Sequence, residues 1–72
     1  MKISYYPETD SLYIDLSAKA SVDSLEVSEG VVVDYDAEGK ITGIDIDNAS
    51  HKLELDELIV HNLRTKVEII AA

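Results

Sequence analysis

Gly30-Val31-Val32-Val33-Asp34-Tyr35-Asp36-Ala37-Glu38-Gly39-Lys40-Ile41-Thr42-Gly43-Ile44-Asp45-Ile46 is the stretch that decides the fold class. Val31, Val33 and Tyr35 alternate with Val32 and Asp34, and further on Thr42, Ile44 and Ile46 alternate with Ile41, Gly43 and Asp45. A side-chain period of two is the pleat of a half-buried strand. Between the two runs, Asp36-Ala37-Glu38-Gly39 supplies a hairpin loop, with Gly39 free to take a positive φ after a type I turn. The segment therefore predicts two antiparallel strands joined by a tight turn.

The same period continues toward the amino terminus. Met1, Ile3 and Tyr5 alternate with Lys2, Ser4 and Tyr6, then Pro7 removes a backbone donor and Glu8-Thr9-Asp10 turns the chain. Leu12, Ile14 and Leu16 alternate with Tyr13 and Asp15, so the first two strands are expected to pair as a hairpin. Leu25 and Val27 mark a third strand; Val22 falls on the opposite parity, which a bulge would reconcile. Five strands at roughly ten-residue spacing predict an antiparallel β-meander.

Toward the carboxyl terminus the period changes. Leu55, Leu58, Ile59 and Asn62 follow helical spacing, with Asp56 placed as an N-cap, Glu57 in the first turn, and Arg64 and Lys66 at the far end. This predicts a short helix over residues 55–64, packed on one face of the sheet. Val67-Glu68-Ile69-Ile70 is either a final short strand, paired within the chain or with a neighbour, or a hydrophobic tail. The expected fold is α+β, a single small domain over residues 1–72.

Composition narrows the function classes. Fifteen acidic residues against six basic ones give a net charge of −9 in 72 residues, and the basic residues are scattered. Such a field repels phosphates, which argues against nucleic acid and against anionic membrane surfaces as partners. There is no cysteine, so neither a disulfide nor a thiolate zinc site can staple the fold. A chain of this size buries only about 60% of its unfolded surface, so self-association, most simply as a dimer, is the expected source of further burial. No apolar run approaches the ~18 residues of a membrane span, and the first residues lack the apolar centre of a secretory signal, so a cytoplasmic location is expected.

Two motifs resemble a known family. Tyr5-Tyr6-Pro7-Glu8-Thr9-Asp10-Ser11-Leu12-Tyr13-Ile14-Asp15-Leu16 is similar to its opening strand, Pro-Glu-x-Asp turn and Leu-Tyr-Ile strand. Gly30-Val31-Val32-Val33-Asp34-Tyr35-Asp36, with Gly39 and Gly43-Ile44-Asp45-Ile46, is similar to its second pattern, and Ala49-Ser50 to the segment leading into its helix. On these residues the chain is identified as a member of the prokaryotic domain-of-unknown-function family 2283, over residues 1 to about 60. The resemblance implies a β-rich domain with a C-terminal helix and carries no catalytic residue. Because some members are encoded beside small toxin-like proteins, it implies an antitoxin-like role with a basic protein partner. Asp45 stands where the family more often has Glu, and Asp47-Asn48 where an apolar-acidic pair is commoner.

Candidate chemistry is sparse. Asp34 to Asp45 partly mimics a calcium loop, with acids at its first, third, fifth and twelfth positions and Gly39 at its sixth. That spacing makes Asp34, Asp36 and Asp45 the metal candidates and a small metal-dependent enzyme the alternative function. No helices bracket the loop, however, and a strand pair would string these oxygens out along its length; the plainer reading is a turn whose acids serve the backbone. His51 and His61 lack a zinc-ligand pattern, Ser50-His51 are neighbours without triad geometry, and no cofactor is expected. Asp45 and Asp47, about 7 Å apart along one strand face, read as a solvated acidic surface with no raised pKa. Tyr6, Tyr13, Val32 and Ile41 are expected to share the face opposite Ile3, Ile14 and Leu16. They are the interface candidates, weighed against ordinary cross-strand stabilisation. The function predicted is therefore a protein-interaction or self-associating module.

Overall fold

The computed structural model describes residues 1–53 and 68–71. The alternating runs all become strands: β1 Lys2–Tyr6, β2 Ser11–Asp15, β3 Asp23–Ser28, β4 Val31–Tyr35 and β5 Ile41–Ile46. A four-residue helix, α1 Ala49–Lys52, follows, and the carboxyl-terminal β6 Glu68–Ala71 completes the set. The predicted helix over 55–64 lies outside the described residues, and α1 sits just before it.

One sheet holds all six described strands in the order β3-β4-β5-β2-β1-β6. The first five pair antiparallel in a meander-like order: β1–β2 is the expected hairpin, β3–β4–β5 runs consecutively, and β2 joins the two pieces by pairing with β5. The final strand pairs within the chain, parallel to β1, with Lys2 opposite Glu68 and Tyr5 opposite Ala71.

The registers assign the faces, because directly opposed residues project to the same side. One apolar row runs Leu25–Val33–Ile44–Ile14–Ile3 across β3, β4, β5, β2 and β1, and a second runs Val31–Ile46–Leu12–Tyr5. Ala49 of α1 is fully buried against Leu12 and Ile46, with Ile3, Tyr5, Ile14, Val31 and Ile44 packed around them. A slip of one residue would turn these rows outward, so this apolar face fixes the register.

Turn chemistry holds the ends. Gly39 has φ +81°, as the 36–39 loop requires, and the Asp36 carboxylate accepts the amides of Glu38 (2.9 Å) and Lys40 (3.0 Å). Asp10, at φ +53°, does more than turn β1 into β2. Its carbonyl accepts the Ala49 amide (2.9 Å), and its carboxylate accepts the Ser50 amide (3.1 Å), the Ser50 hydroxyl (2.7 Å) and the Tyr5 phenol (2.7 Å). The Asn48 side chain makes no cap bond, so amides that open α1 are satisfied from a turn 40 residues away in sequence. The bulge expected between Val22 and Leu25 occurs instead between Glu26 and Ser28, where the β3–β4 register shifts at Val27.

Candidate acidic sheet face

The opposite face of the sheet is built from the other parity. Its middle row reads Glu26–Val32–Asp45–Tyr13–Ser4 and the next row Ser24–Asp34–Gly43–Asp15–Lys2. Tyr13 and Val32 are thereby brought to one row, as expected, with Asp45 standing between them. Tyr6 opposes Ser11 at the rim of the same face and is exposed. Ile41 departs from this pattern. The register shift between Asp34 and Tyr35 pairs Ile41 with Tyr35, interrupting the alternation that would line it up with Gly43 and Asp45.

Tyr13 organises the face. Its ring lies over Gly43, so closely that a Cβ there would overlap the phenol oxygen and stand 2.6 Å from Cζ. The hydroxyl donates to Asp34 (3.2 Å), and the Ser24 hydroxyl donates to the other oxygen of the same carboxylate (2.7 Å). A polar chain therefore runs from β2 over β5 to β4 and on to β3. Glycine permits it, because only a residue without Cβ lets the ring lie on the backbone. Burial holds the Tyr13 phenol above its ordinary pKa, helped by the hydrogen bond to Asp34 and by the charges of Asp34, Asp15 and Asp45.

The acids of this face are less free than the sequence suggests. Asp45 is half-buried, and burial raises its pKa, with the neighbouring carboxylates of Asp47 and Asp34 adding to the rise. This corrects the expectation of a freely solvated pair. The desolvating surroundings come from β2 and β4 flanking Asp45, contacts that no local pattern encodes. The three calcium-loop acids separate: Asp34 and Asp45 lie on the acidic face, whereas Asp36 is buried and turned into its own loop. The Asp36 carboxyl is held below the usual range, chiefly by the Lys40 amide. Among the described residues, no group of three or more His, Cys, Asp or Glu side chains is placed to hold a metal ion.

Ser50 and His51 fall within α1, and the Ser50 hydroxyl is spent on Asp10. Sequence reasoning placed Asp10 in a turn but missed its anchoring role; the signal available was a short acidic residue in a turn, which tolerates positive φ and bonds nearby amides. The Tyr13–Gly43 contact also had a signal, an isolated glycine inside a strand pattern. A shallow hollow at the β1–β2 turn is lined by Tyr6, Pro7, Glu8 and Thr9 and holds no convergent set of reactive groups. Among the described residues, no helix is long and apolar enough to cross a membrane.

No curated protein and no solved structure matches this chain. One family model does, described as a protein of unknown function (DUF2283), and the match covers residues 2–50, which include β1 to β5 and the start of α1. The two motifs around the β1–β2 turn and the β4–β5 hairpin fall inside that span, and the chain belongs to the DUF2283 family.

Proposed function

We propose that this chain is a protein-interaction module whose acidic sheet face receives a basic protein. The observation that carries the reading is the crowding of Asp34 and Asp45 about Tyr13 and Val32, with Asp45 driven toward protonation by burial and by its acidic neighbours. A lysine or arginine of a partner would relieve that repulsion, and the tyrosine and valine supply apolar contact between the charges. The overall charge of −9 would steer such a partner in from a distance. In its antitoxin-like form the partner is a small basic toxin-like protein in the cytoplasm, with the module itself a dimer. The metal-dependent alternative gains no comparable support, since Asp36 is committed to its own turn.

The test is a native capture at low and moderate salt, comparing the wild type with the Tyr6→Ser/Tyr13→Ser double variant and with Asp34→Asn/Asp45→Asn. A stoichiometric basic protein, released by salt and lost from both variants while they keep wild-type circular dichroism, is the expected result. Capture that both folded variants retain at wild-type level would refute the assignment of this face.

A further inference from the structure

We infer that the partner engages the module by strand addition at β3, contributing an extended basic segment as a seventh strand. This rests on the interaction reading above and names how the partner binds. Among the described residues β3 ends the sheet, and all six of its residues are exposed. Half the backbone amides and carbonyls of an edge strand point away from its neighbour, which leaves a template for another chain. The apolar row that includes Val33, 8% exposed, ends at Leu25, which is 57% exposed, so the row stops with a side chain uncovered. On the other face, Glu26 and Ser24 end the two rows that contain Asp45 and Asp34.

Charge complementarity selects the occupant. A strand laid beside β3 places alternate residues next to Leu25 on one face and next to Ser24 and Glu26 on the other, where Asp34 lies one strand further in, opposite Ser24. The fitting segment therefore alternates apolar and cationic side chains. A second copy of β3 fits less well, because it would bring its own Asp23 and Glu26 to an edge already carrying them. Val27, at the register shift, sets the end of the usable template.

The test uses the whole protein and a nine-residue peptide of alternating lysine and valine, followed by amide exchange and amide spectra. A matched peptide N-methylated on every residue keeps the charge but has no amide donors on either edge, so it cannot form the ladder. Strand addition predicts that saturating peptide slows exchange of the outward-pointing β3 amides tenfold or more, and that the N-methylated peptide fails to do so. Equal binding of both peptides overturns it, as does protection or spectral change confined to Tyr13, Val32 and Asp45. Those outcomes leave the acidic-face reading standing. Concentration-dependent protection of β3 without peptide overturns it in favour of a second copy. If neither peptide binds while capture still yields a salt-released partner lost from the face variants, strand addition alone falls.

Discussion

Replacing Gly43 with alanine should destabilise the fold for one reason only, the ring of Tyr13. The added Cβ would overlap the phenol oxygen and sit 2.6 Å from Cζ and 3.2 Å from Cε1. Carbon atoms in contact prefer about 3.5–4.0 Å, so Cζ must retreat by roughly 1 Å. The backbone at Gly43 is held by β2 and β4, and the ring moves instead. Leaving its rotamer costs about 0.5–1.5 kcal/mol, and losing the hydrogen bond to Asp34 costs about the same again. Against this, removing a strand glycine returns about 0.5–1 kcal/mol of backbone entropy. The net is a loss of about 1 kcal/mol, or roughly 4–8 °C in melting temperature for a domain of this size. Thermal melts of the wild type, Gly43→Ala, Tyr13→Ala and the double variant close the cycle. With Tyr13 cut back to alanine, Gly43→Ala should stabilise by about 0.5–1 kcal/mol, because only the entropy term survives. Proton NMR adds a readout: in Gly43→Ala the Tyr13 phenol should titrate nearer its ordinary value, having lost its cover and its bond to Asp34. The reasoning is refuted if Gly43→Ala raises the melting temperature with Tyr13 present, or shifts it equally in both backgrounds.

Two further expectations concern pH. The raised pKa of Asp45 means that its ionised form weighs against folding; that penalty is absent below the ordinary carboxylate pKa and is felt as pH rises through the folded value. Asp45→Asn should therefore melt higher than wild type at neutral pH and level with it near pH 3, a lower melt at neutral pH being the contrary result. Asp10 has the opposite sign. Its carboxyl is held below the ordinary range, first by the Ser50 hydroxyl and then by the Tyr5 phenol, so its contribution is complete above the ordinary value and fades as pH falls through the folded one. Asp10→Asn keeps a residue that tolerates the positive φ and should melt below wild type at about pH 6, with the gap closing under strong acid; a pH-independent gap would assign the effect to the backbone.

Strand existence was legible in the sequence because the pleat writes itself into alternating residues, and the two hairpins because Pro7 and Gly39 punctuate them. The pairing of β2 with β5 was not legible. Leu12 meets Ile46 across 34 positions, and nothing in either run names the other. α1 is too short to show helical periodicity, and its capping comes from Asp10, far back in the chain. At the acidic face, parity gave the side on which Tyr13 and Val32 lie. It could not give the register shift that removes Ile41 from their line, nor the enclosure of Asp45 between β2 and β4, which depends on neighbours known only after folding.

The pairing of β2 with β5 also ties the acidic face, and with it the proposed recognition, to completion of the sheet. The five antiparallel strands consist of two locally assembled pieces zipped along one long-range seam, and such seams close late because loop entropy is spent before contacts return it. The row Val32–Asp45–Tyr13 straddles that seam, and the bond from Tyr13 to Asp34 stitches over it. Neither half carries the Val32–Asp45–Tyr13 row alone. A ligand lying across both halves would therefore tighten the zipper by mass action, and any substitution that loosens it, however far from the tyrosine, would weaken the proposed partner's hold.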